Sequence, residues 1–95
     1  MPPIRRIVAD VLKPHEPSLA AFARRMAGVE GVAGASVSLI ELDKEVQNVK
    51  LTVEGEEVSA DRLEEAIEDV GGSLHSIDEA AAGEYVVEER STPQD

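Results

Sequence analysis

The chain contains no cysteine, and its only aromatic residues are Phe22 and Tyr85. Without thiols there are no disulfides, no zinc ribbon, no thiol redox chemistry and no CxxC metal loop, so any bound metal has to be held by histidine and carboxylate. With one Phe and one Tyr there is no pair of rings on neighbouring strands for bases to stack on, which argues against an RNA-reading sheet. Basic residues are also scarce. Nine Lys and Arg stand against twenty Asp and Glu, a net charge of −11 that disfavours nucleic acid and anionic membranes as partners. Long hydrophobic runs are missing too: the stretch after Met1-Pro2-Pro3-Ile4-Arg5-Arg6 is broken by Asp10 and Lys13, too short and polar for a signal core or a membrane span. A cytoplasmic location is the expectation. The chain also has no glycine-rich phosphate loop, nucleophile elbow or paired-histidine metalloprotease helix. A non-enzymatic role is expected.

What is present fits one small domain. A chain of 95 residues can bury roughly 60 to 65% of the surface its unfolded form exposes. Hydrophobic residues make up 42%, so a core must come from Val, Ile, Leu, Met and Ala. The acids are dispersed along the chain, not collected in a tail. At 0.01 M salt the Debye length of about 30 Å lets such charges repel one another across a whole domain, whereas at 1 M it falls to about 3 Å. Arg also outnumbers Lys six to three. The composition suits a salt-rich, halophilic cytosol.

The order of elements follows from periodicity. Ile4 to Lys13 carries Ile7, Val8, Ala9, Val11 and Leu12 with little helical period and predicts a first strand, stopped by Pro14. Pro17 suits the first turn of a helix with Glu16 before it, and Leu19, Phe22, Ala23, Met26 and Ala27 then recur on one helical face up to Gly28 and Gly31. Ala35–Leu42 and Val46–Glu54 predict two strands joined by Asp43-Lys44-Glu45, and the second alternates Val49, Leu51, Val53 against Asn48, Lys50, Thr52, Glu54. Ser59 is a good N-cap for a second helix marked by Leu63, Ala66, Ile67 and Val70 and closed by Gly71-Gly72. Leu74 to Ala82 predicts a fourth strand, which Tyr85-Val86-Val87 either extends or leaves beside a separate edge segment. Residues 1–87 are thus expected to form the domain and 88–95 a disordered acidic tail. The order β-α-β-β-α-β is that of a ferredoxin-like, split βαβ α+β fold: a four-stranded antiparallel sheet with both helices on one face.

Four stretches resemble the archaeal family called domain of unknown function 211: Asp10-Val11-Leu12-Lys13-Pro14-His15-Glu16-Pro17; Val29-Glu30-Gly31-Val32; Glu41-Leu42-Asp43-Lys44-Glu45 with Asn48-Val49-Lys50; and Gly71-Gly72 followed by His75-Ser76-Ile77-Asp78-Glu79. The resemblance covers about residues 4 to 88. It implies a ferredoxin-like fold, an archaeal source and a tendency to homo-oligomers, and no established activity.

Two sets of residues are candidates for function. In this topology the first βα loop, the hairpin between the second and third strands and the start of strand four share one rim, which would bring His15 and Glu16 toward Asp43, Glu45 and His75. Two imidazoles with carboxylates suit a divalent cation such as zinc or nickel. Against this, His15 in a proline-flanked polar loop more often braces the loop, His75 more often bonds backbone, and Asp43 and Glu45 more often shape the turn. The second set, Arg6, Asp10, Asn48, Lys50 and Thr52, would line the uncovered face of the sheet, with Val8, Leu12 and Ile40 adding apolar area. A sheet covered on one side commonly self-associates through the other. The expectation is a homo-oligomeric small-ligand-binding or regulatory module, with divalent-metal binding as the alternative; the cofactor, if any, is unspecified.

Overall fold

The computed structural model describes residues 1–87. In order come β1 (Ile4–Pro14), α1 (Leu19–Ala27), β2 (Gly34–Leu42), β3 (Val46–Glu54), α2 (Ala60–Asp69) and β4 (Ser73–Ala82). The four strands form one sheet in the order β2-β3-β1-β4, every neighbouring pair antiparallel. This is the ferredoxin-like arrangement expected from the element order. The expected C-terminal tail lies outside the described residues, and Tyr85 to Val87 add no strand.

Strand parity decides which side is covered. β1 and β3 pair Ile7 with Val53, Ala9 with Leu51 and Val11 with Val49, and all six side chains are buried. Phe22 and Met26 of α1 and Leu63 and Ile67 of α2 join them in one core, which places both helices on that side. Burying a side chain of the Val, Leu, Ile, Phe or Met class stabilises the fold by about 1.5–3 kcal/mol, so this aliphatic layer carries most of the favourable energy.

Each helix begins at a serine. Ser18 caps α1, its hydroxyl accepting from the Ala21 N–H at 3.1 Å, and Ser59 caps α2 by accepting from Arg62 N–H at 3.3 Å. The sequence had placed Pro17 in the first helical turn. It instead precedes the cap, joined to Glu16 by a cis peptide bond, because the Ser18 hydroxyl is the group that satisfies a free N–H of the first turn. At the other end of α1, Gly31 has φ 92° and passes so close to the Glu57 carbonyl that a Cβ would run into it. Only glycine combines that backbone angle with that approach.

Candidate functional site

The rim where β1 ends is built around a lysine. Lys13 continues the inward parity of Ile7, Ala9 and Val11, pairs with Gln47 across the sheet and is fully buried. Its Nζ donates to Pro14 O at 2.8 Å, to Gln47 Oε1 at 2.9 Å and, at a longer 3.4 Å, to His15 O. Removal from water pushes its pKa below the usual lysine value, while the nearby Glu16 carboxylate acts in the opposite sense. The ammonium thus pins the first βα loop to β3. In the sequence Lys13 is only the last residue of the first strand, although its parity with Val11 is a signal of an inward side chain.

His15 makes the next connection. Its Nε2 lies 3.0 Å from both Asp43 O and Lys44 O. Two carbonyl acceptors require that Nε2 carry the proton, so the ring donates to the tip of the β2–β3 connection and ties it to the βα loop. Asp43 turns inward on its own loop, Oδ1 accepting from the Lys44 N–H at 2.7 Å. The first βα loop and the hairpin therefore meet as the topology required, through a histidine acting as a brace.

His75 stands elsewhere. It belongs to β4, where Ser76 pairs with Asp10 and Leu74 with Val11, so His75 is the extra residue of a bulge on an outer strand. It lies beside β1 on the flank away from the hairpin, opposite Asp10 and Val11 and so several residues short of the rim where His15 follows Pro14. Among the described residues no group of three or more His, Asp or Glu is placed to hold a metal ion. His15 thus meets Asp43 through the backbone, while His75 is not brought to them, because strand order puts the hairpin and β4 on opposite flanks of β1.

The second set falls where parity predicted. Arg6, Val8, Asp10 and Leu12 of β1 stand opposite Glu54, Thr52, Lys50 and Asn48 of β3 on the side away from the helices. Arg6 reaches Glu54 at 3.4 Å and Glu79 at 4.0 Å, while no ion pair joins Asp10 to Lys50 among the described residues. Asn48 Oδ1 is buried with no hydrogen-bond partner among them. Val8 is also nearly buried, so the apolar area available on this face is small.

Three of the exposed large apolar side chains lie together on one edge strand, β2, and one, Ile77, on the other, β4. β2 has one free side, and Leu39, Ile40 and Leu42 on it are 44%, 59% and 62% exposed. Ile40 is the extra residue between the Leu39–Val49 and Glu41–Asn48 pairs. Of its nine residues only Glu41 is charged, in a chain that is 31% charged. The opposite edge differs. β4 carries Asp78 and Glu79 and is broken by two bulges, at His75 and Asp78. Charges and bulges are the usual means of keeping an edge strand from pairing, and β2 has one of each, Glu41 and the bulge at Ile40, against two of each in β4.

A four-stranded antiparallel sheet with two helices on one side defines a ferredoxin-like α+β domain, a class that hosts many unrelated activities. The profile of the family DUF211, described as uncharacterised ArCR, matches residues 5–95, and the chain belongs to that archaeal family. A relative, the uncharacterised protein MJ0319 of Methanocaldococcus jannaschii, is 47% identical over 92 residues, which span 97% of this chain and 95% of that protein. No helix among the described residues is long and apolar enough to cross a membrane.

Proposed function

We propose that the protein is a non-enzymatic, homo-oligomeric small-ligand-binding or regulatory module of the archaeal cytosol, whose subunits join through the free edge of β2. The observation that carries this reading is the asymmetry between the two sheet edges. A strand end with Leu39, Ile40 and Leu42 exposed around a single charge, Glu41, is a template for another strand, and a second copy of the same chain is the partner always present. Pairing there would satisfy the outward backbone N–H and C=O groups of β2 and remove three large side chains from water. The hairpin that carries this edge is held by His15, so the bracing of the rim serves the interface.

The net charge of −11 supports a salt-adapted member of the family, since a compact state with so many carboxylates is favoured where they are screened. Amide hydrogen exchange tests the interface directly. Under this reading, protection of β2 amides rises with protein concentration while protection of β1 and β3 stays constant; β2 amides that exchange fast at every concentration would rule the edge out.

A further inference from the structure

The helices leave a groove between them on the side away from the sheet. It has a volume of about 670 Å³ and a floor of small or apolar residues, among them Ala21, Gly28, Val29 and Ala66. The groove is shallow and largely open to solvent, with a volume within the range of about 300–1,000 Å³ usual for small-molecule sites. Its walls carry three arginines, Arg24, Arg25 and Arg62, and three acids, Glu30, Glu65 and Asp69. Arg is scarce in this chain, six residues among 95, and half of them line this one feature.

The charges are not all spoken for. Arg25 reaches Asp69 at 3.9 Å, and Arg62 pairs with Glu30. Among the described residues Arg24 and Glu65 have no ion-pair partner, and they stand on different helices, Arg24 on α1 and Glu65 on α2. The groove therefore offers one guanidinium and one carboxylate from its two walls over an apolar floor.

We infer that this groove binds a small zwitterion of the α-amino-acid class. The ligand's carboxylate lies against Arg24, whose planar donors match it, and its ammonium lies against Glu65. An aliphatic side chain covers Ala21, Val29 and Ala66. A plain anion would meet the three acids of the walls, and a plain cation the three arginines. A molecule carrying both signs suits the lining best. This gives the ligand-binding part of the proposed function a location. It does not depend on the β2 edge, so the failure of one leaves the other standing.

The test is a two-dimensional NMR titration of the full chain with L-leucine, at the lowest salt concentration that keeps it folded. 4-Methylpentanoate and isopentylamine, which share the aliphatic group and carry one charge each, are titrated in parallel. Leucine should shift the amides of Ala21, Gly28 and Ala66 and the Arg24 side-chain N–H. Each single-charge compound should bind about fivefold more weakly, as should leucine to Arg24→Gln or Glu65→Gln, the loss expected for one exposed ion pair. Both side chains are exposed, and circular dichroism would show that each variant keeps its helices. No shift with leucine at tens of millimolar, or equal shifts with 4-methylpentanoate, would overturn the inference.

Discussion

Replacing Lys13 with Met tests whether the buried ammonium organises the rim. Methionine has a similar length and fills the space, but it donates nothing. Two well-formed acceptors, Pro14 O at 2.8 Å and Gln47 Oε1 at 2.9 Å, then lose their donor, and a third, His15 O at 3.4 Å, loses a weak one. A hydrogen bond from a charged donor contributes about 1.5–3 kcal/mol, and at the low end suited to these partly buried contacts the two strong ones amount to roughly 3 kcal/mol. The variant also no longer has to desolvate a charge, which offsets part of that loss. We expect a net destabilisation of about 2 kcal/mol, or a fall of about 8–16 °C in Tm for a domain of this size. Urea unfolding and a thermal scan in molar KCl would measure it.

The pH dependence gives the same residue a second, independent check. Burial lowers the folded-state pKa of Lys13 below its ordinary 10.5. Between the folded and unfolded values the folded protein binds fewer protons than the unfolded chain, so stability rises with pH across that interval. Wild-type protein should therefore gain stability relative to Lys13→Met as pH climbs toward 10.5, and the difference should be flat below the folded pKa. A variant as stable as wild type at neutral pH, or a gap that shrinks as pH rises, would refute the reasoning.

Other outcomes follow from the same structure. Gly31→Ala places a Cβ against the Glu57 carbonyl at φ 92° and should cost more than about 1 kcal/mol or prevent folding, whereas Gly34→Ala, with nothing within 4 Å, should change the urea midpoint little. His15→Ala removes the donor to Asp43 O and Lys44 O at an exposed position, so about 1 kcal/mol should be lost, and hydrogen exchange should quicken at the β2–β3 connection before anywhere else. Raising KCl from about 0.05 M to 2 M should raise the thermal midpoint as carboxylate repulsion is screened; a midpoint that is flat or falls with salt would count against halophilic adaptation.

Much of this architecture was legible in the chain. The alternation of Val49, Leu51 and Val53 with Asn48, Lys50 and Thr52 marked both faces of β3, and the spacing of Phe22, Met26, Leu63 and Ile67 marked the buried sides of the helices. These are local patterns, readable because the periods of strands and helices differ. What was harder to read depended on partners distant in sequence. That His15 would reach the carbonyls of Asp43 and Lys44 depends on how the loop folds over the hairpin. The separation of His15 from His75 depends on the register of β4, whose bulge sets His75 opposite Asp10 and Val11 rather than at the end of β1. Lys13 shared the parity of Val11 but carried a charge, and nothing local showed that two backbone carbonyls and Gln47 would receive it. Likewise, that Arg24 and Glu65 line one groove depends on how the two helices sit against each other, which no local pattern shows.

The mass of the particle in solution tests the central proposal most directly. Light scattering coupled to size exclusion, in molar KCl across micromolar concentrations, should give one defined oligomer for the wild-type chain and a monomer for Ile40→Lys, which puts a charge on the β2 edge without disturbing a buried side chain. A wild-type monomer of 10.2 kDa throughout that range would contradict the proposal, as would an Ile40→Lys oligomer of unchanged mass.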